Sequence, residues 1–166
     1  MSTLGIENIE HTNGTRAMTV DASGRIFQPA KPIMSVRGRN TNTGNSAVYA
    51  NFQEVTSWSV TDVNIGGGLS NGRFVAPVTG NYSLEVWSQR GDTTNYRNVT
   101  LAVYDGSSYT LLINVYAGND YKGYTSGGSL IYPLTVGHEV LVGWDNQYSS
   151  WHADHDKSSF TCYLIG

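Results

Sequence analysis

The densest run of side chains able to do chemistry is Trp151 His152 Ala153 Asp154 His155 Asp156, in which two imidazoles and two carboxylates fall within six residues. Such groups suit a divalent cation, but ligands one and two positions apart in a loop match no defined zinc or calcium pattern. A polar loop tip or contact surface accounts for them more simply, so no metal and no other cofactor is assigned. The same loop carries Tyr148 and Trp151. Aromatic rings beside His152 and Asp154 can stack on a sugar while their polar neighbours bond its hydroxyls, which makes 148–156 a candidate surface-binding loop for a host glycan. Hydrolytic chemistry has less support. There is no Gly-x-Ser-x-Gly elbow, and Cys162 sits in the apolar run Phe160–Ile165, where a thiol is a small core filler. Gly66 Gly67 Gly68 lacks the Lys and Ser or Thr of a phosphate loop, and His11 and His138 stand alone. No catalytic residue is named, and the chain is not expected to be an enzyme.

The elements that must position these groups are strands. The 166 residues are 39% hydrophobic and only 14% charged, with 19 Gly and 11 Tyr, a balance that favours short strands and tight turns over long charged helices. The net charge of −3, with Lys and Arg scattered, gives no reason to approach nucleic acid. A single cysteine leaves no disulfide framework. No stretch approaches the roughly 18 apolar residues of a membrane span, and Met1–Glu7 has neither a basic start nor an apolar core, so neither membrane insertion nor secretion is expected.

Residues 1–31 are polar and read as an extended arm, with a small hairpin possible over Ala17–Val20 and Arg25–Phe27 around Gly24. Pro29 and Pro32 mark a boundary, and a compact domain is expected over 32–166. There the chain alternates apolar runs with turn clusters, predicting strands over 32–38, 47–59 (with a break), 72–76, 80–89, 96–105, 109–117, 128–134, 138–145 and 158–165, an antiparallel all-β sandwich. Tyr82, Leu84, Val86 and Val142 are expected in its core by alternation. The last strand is apolar on both faces, and since a sandwich has one interior, a neighbouring subunit is the natural second cover.

The run Gly72 Arg73 Phe74 Val75 Ala76 Pro77 Val78 Thr79 Gly80 Asn81 Tyr82 resembles the Gly-Arg-Phe-x-Ala-Pro-x-x-Gly-x-Tyr signature of the complement and tumour-necrosis-factor-like family. Asn64 and Gly66 before it, and Gly128 Ser129 Leu130, Leu134, Gly137 and the strand Phe160–Ile165 after it, extend the likeness over about 33–166. Cys162 departs from it, standing where the family usually has Gly. The resemblance implies a jelly roll of two antiparallel sheets that assembles as a homotrimer. Gly80 is read as the glycine that lets the chain reverse after Pro77, with Tyr82 then entering the core. Trp87, Tyr132, Phe160 and Leu164 are expected at the subunit interface. In the arm, Asn13 Gly14 Thr15, Ala17 Met18 Thr19 Val20 Asp21 and Ser23 Gly24 Arg25 Ile26 resemble a segment of structural proteins of tailed bacteriophages.

Together these readings predict a virion protein, made in the host cytoplasm and placed on the capsid surface. It would be a trimeric decoration or cement protein whose arm, up to about 100 Å long if fully extended, grips the major capsid protein. The alternative is the glycan-binding tip of a tail or head fibre. That role calls for a shaft repeat or coiled coil ahead of the head domain, and the sequence shows none.

Overall fold

The computed structural model describes residues 8–10, 16–28, 31–89, 97–117, 125–145 and 157–165. Contacts divide the chain into two units, Met1–Lys31 and Pro32–Gly166. None of the described residues forms a helix long and apolar enough to cross a membrane.

In the first unit β1 (Asn8–Glu10), β2 (Arg16–Val20) and β3 (Ile26–Phe27) form an antiparallel sheet in the order β1-β2-β3. An extended arm is therefore not what the described part shows. The chain folds back because Asp21 accepts hydrogen bonds from the amides of Ser23 and Arg25, both at 2.9 Å, and from the Arg25 guanidinium at 2.7 Å. Gly24 supplies the positive φ, 78°, that the turn needs. These bonds to the charged form hold the Asp21 carboxyl below the usual carboxylate range.

The second unit contains β4 (Ile33–Gly44), β5 (Phe52–Ile65), β6 (Leu69–Ser70), β7 (Arg73–Val75), β8 (Gly80–Gln89), β9 (Arg97–Tyr104), β10 (Tyr109–Ala117), β11 (Thr125–Leu134), β12 (Glu139–Asp145) and β13 (Ser158–Leu164). They pair antiparallel in the series β10-β9-β12-β5-β4-β13-β8-β11, with β7 joining β12 and β6 joining β7. The series folds over itself at β5. Its first residues, Phe52–Glu54, pair with Gly143–Asp145 of β12, and the strand as a whole runs along β4 through three register shifts. β4, β13, β8 and β11 thus make one layer, and β12, β9 and β10 the other. The end strands come together, with a Cβ at Gly128 of β11 falling 3.4 Å from the Ile113 side chain of β10.

The core between the layers is built by alternation. Met34, Val36, Tyr82, Leu84, Val86, Phe160 and Cys162 enter from one layer and Val99, Leu101, Val103, Val140, Val142 and Trp144 from the other, all buried. The four core residues expected from the sequence are among them. Tyr82 packs edge-on against Phe74 at 5.4 Å and donates its hydroxyl to the Val78 carbonyl at 2.8 Å. A second cluster of Phe52, Ala102 and Leu141 lies under Val48 and Tyr49. The segment expected to open the strand at 47 is a turn, closed by Val48 N to Asn45 O at 3.2 Å and by Asn51 at φ 64°, and the strand runs later, from Phe52 to Ile65.

Two signature residues have roles the sequence did not assign. The left-handed glycine is Gly72, φ 78°, whose Cβ would stand 2.4 Å from the Val55 carbonyl oxygen, while Gly80 simply opens β8 opposite Leu134. Arg73 is a clamp. Its Nε and Nη2 donate to the two carboxylate oxygens of Glu54 at 2.5 and 2.8 Å, and its Nη1 to Glu139 at 2.5 Å, tying β7 to β5 and β12. Glu54 is 2% exposed and also accepts from Asn45 Nδ2 at 2.8 Å. Flanked by two carboxylates, the Arg73 guanidinium is pushed further into its charged form.

Removing the cation leaves a buried carboxylate without its charge partner. Arg73→Met is expected to lower unfolding free energy by about 3 kcal/mol in urea melts, a loss moderated because Arg73 keeps a fifth of its side chain in water. Adding Glu54→Gln to Arg73→Met should recover part of the loss, and a double variant no better than the single would argue against the clamp.

Candidate functional site

The outward positions of the β5-β4-β13-β8-β11 stretch form the most distinctive surface of the described residues. Period-2 alternation sends Ser83, Glu85 and Trp87 out of β8 as Tyr82, Leu84 and Val86 go in. The register then lines up whole rows. Ile65, Ile33, Tyr163, Ser83 and Ile131 stand opposite one another in turn across the five strands. Ile131 is 65% exposed, Ile65 44% and Tyr163 41%. The next row is Val63, Ser35, Thr161, Glu85 and Ser129, in which the Ser35 and Thr161 hydroxyls lie 3.4 Å apart.

The third row, Val60, Arg37, Ser159, Trp87 and Gly127, is polar and aromatic. Arg37 makes a two-pronged pair with Asp62, 2.7 Å from Nε and 2.8 Å from Nη2. Asp62 is the extra residue of the bulge opposite Ser35 and Val36, and the guanidinium holds its carboxyl below the usual carboxylate range. The Trp87 indole N–H donates to Glu85 Oε1 at 2.5 Å. Its ring lies over Gly127, where a Cβ would come within 2.7 Å of it. Ile131 and Tyr163 thus belong to an apolar end of the face, Trp87 and Arg37 to a polar one.

Of the four residues expected at a subunit interface, only Trp87 faces outward, 41% exposed. Phe160 is completely buried within one chain and stacks near Trp58 at 6.1 Å, so it is a core residue. Tyr132 and Leu164 both stand opposite Tyr82 and pack against the same core. The apolar positions that do face out are Ile131 and Tyr163, each one residue away, because a shift of one position exchanges the faces of a strand. Cys162, on the same parity as Phe160, is buried with it. Ile33 and Ile65 were not anticipated at all.

Tyr148, Trp151, His152 and Asp154, the candidate surface-binding loop, lie outside the described residues. Among the described residues, no group of three or more His, Cys, Asp or Glu side chains is placed to hold a metal ion. Gly66 and Gly67, at φ 81° and 73°, turn the chain from β5 toward β6, with the Leu69 amide donating to Asn64 Oδ1 at 3.3 Å. His138 contributes its carbonyl to the Ala76 amide at 2.8 Å, a structural role. Burial pushes the Cys162 thiol well above its ordinary range, which suppresses the thiolate. In the folded chain at pH 8 Cys162 should react with a thiol reagent orders of magnitude more slowly than in urea, and similar rates in the two states would place it at the surface.

No protein-family model matches the chain, and no curated protein matches it. Solved structures do. Murine APRIL, crystallised at pH 8.0, superposes with a TM-score of 0.65 at 12% identity, the match covering 81% of this chain and 99% of that one. The same protein at pH 5.0 gives 0.66 at 13% over the same shares. The globular domain of zebrafish complement 1qA protein gives 0.58 at 16%, covering 82% of this chain and 98% of that one. At these identities the likeness is one of fold, the jelly-roll β-sandwich of complement and tumour-necrosis-factor-like domains.

Proposed function

We propose that this chain is a structural, self-associating protein, not an enzyme: a homotrimer joined through the outer face of the β4-β13-β8-β11 layer. It decorates the head of a tailed bacteriophage, and residues 1–31 dock it on the major capsid protein. The observation that carries self-association is the row of Ile65, Ile33, Tyr163, Ser83 and Ile131, in register across the outer face of the layer, with Ile131, Ile65 and Tyr163 exposed. Scattered single apolar residues are ordinary on a surface, but an aligned row is the composition of an interface core. Threefold closure is what the signature around Gly72–Tyr82 implies, and the jelly-roll fold is compatible with it. The phage-head role is supported by the resemblance of Asn13–Ile26 to tailed-phage structural proteins, and by contacts that set residues 1–31 apart as a unit of their own.

Mass in solution tests the assembly. The intact chain should run as a trimer, and Ile131→Glu combined with Tyr163→Glu should weaken association by at least about a hundredfold, leaving a folded monomer. Tyr132→Phe, on the inward face, should leave the trimer intact. A monomeric parent chain would overturn the assembly. Capsids stripped of this protein test the role: the intact trimer should bind them, and the trimer lacking residues 1–31 should not. Failure of the intact trimer to bind, with capture on host-cell glycan in its place, would move the assignment to a fibre tip.

A further inference from the structure

Register sets Gly80 opposite Leu134, Leu164 opposite Tyr82, and Ile33 opposite both Tyr163 and Ile65. The starts of β4 and β8 and the last residues of β5, β11 and β13 therefore lie at one end of the sandwich, and Glu139 opposite Tyr104 brings β12 and β9 to it as well. The turns at this end, 66–68, 76–79, 105–108 and 135–138, are all described, and two of them are tied to each other. The Gly137 amide donates to the Ala76 carbonyl at 2.9 Å, the Ala76 amide to the His138 carbonyl at 2.8 Å, and the Val136 amide to Thr79 Oγ1 at 3.1 Å. Turn 135–138 is also closed by His138 N to Thr135 O at 2.9 Å, with Gly137 at φ 87°, and the Val78 carbonyl is held by the Tyr82 hydroxyl. On this fastened pair of turns stand two valines, Val136 at 60% exposure and Val78 at 44%, where Gly, Pro, Asn, Asp or Ser are usual. Turns 66–68, 76–79 and 135–138 contain no Asp, Glu, Lys or Arg, and the carboxylate of Asp105 is occupied by the amides and hydroxyls of Ser107 and Ser108.

The chain enters the domain at the same end. Pro32, the first residue of the second unit, accepts from the Leu164 amide at 3.0 Å, and a Cβ at Gly66 would stand 3.2 Å from its Cα. Whatever residues 1–31 grip is thus tethered to the end that carries Val78 and Val136. We propose, resting on the capsid-docking reading, that turns 76–79 and 135–138 make a second contact with the shell, seating these valines on an uncharged apolar patch of the major capsid protein. Association through the outer sheet face runs alongside the strands, so it leaves their ends open. A threefold rotation carries the three copies of this end to one height along its axis, and three patches then meet one surface together. Turns already fastened by hydrogen bonds lose little freedom on docking. Two valines in each copy are too small a contact to hold the trimer alone; they add to the grip of residues 1–31 and fix which end points inward. Turn 45–51, at the opposite end where Phe52 pairs with Asp145, then faces away from the shell.

The test is binding of the full-length chain to stripped capsids, with mass in solution recorded for every variant. Val78→Asp combined with Val136→Asp should remain a trimer and bind about tenfold or more weakly than the parent. Ser46→Asp combined with Ala47→Asp places the same added charge on exposed residues of the opposite end and should bind as the parent does. Val78→Ser combined with Val136→Ser adds no charge and should weaken binding in the same direction by less; it carries the test if the aspartate pair disturbs folding. Parent-level binding by the folded valine variants would overturn the second contact and leave docking by residues 1–31 standing, whereas no binding by the intact trimer would overturn both. A parent chain that runs as two joined trimers, reduced to one by the aspartate pair, would overturn the shell as occupant and assign the patch to a second copy.

Discussion

One guanidinium holds the corner at which the sandwich folds. Glu54 belongs to the few residues of β5 that pair with β12, while the strand as a whole, Glu54 included, runs along β4 of the opposite layer. Arg73 reaches from β7 to Glu54 and, with its remaining nitrogen, to Glu139 on β12. Three strands are thereby fixed where the chain changes layers. The Trp58 indole, donating at 2.9 Å to the Gly72 carbonyl one residue before Arg73, fastens the same corner from the β5 side. The position of every outward row follows, since the register of β5 on β4 determines what stands beside Ile33 and Arg37.

A strand sends alternate residues to opposite faces, and a sandwich can bury only one face of each sheet. The face left over on the β4-β13-β8-β11 layer is graded along its length. At one end it is isoleucine and tyrosine, the composition of a protein contact. At the other it is arginine and tryptophan beside serine and threonine, a polar surface. One strand, β13, serves both, with Tyr163 in the apolar part and Ser159 in the polar part. The two parts are separated by distance along the strand, so the side chains of one do not pack against those of the other.

Much of the fold was legible because alternation is a strong signal. The strands at 80–89 and 109–117 end where the sequence places them, and Tyr82, Leu84, Val86 and Val142 are buried as their spacing requires. The face of β13 was not legible. With nearly every residue from Phe160 to Ile165 apolar, hydrophobicity does not distinguish the two parities, and packing chose Phe160 and Cys162 for the interior. Tyr132 failed for a related reason, since Tyr and Ile are both plausible on either side of an edge strand. The break expected within 47–59 lies at its start, where Asn45 and Asn51 close a turn and the strand begins only at Phe52.

The two strands that terminate the series, β10 and β11, face one another. Each also carries a feature that spoils it as a template. β10 is interrupted by an irregularity between Leu111 and Ile113, and β11 contains Pro133, which has no amide hydrogen to offer a further strand. Strand-by-strand growth of the kind that produces fibres therefore has no ready starting point at the two ends of this series. The proposed self-association would therefore use side chains on a sheet face and not the open edges of that series.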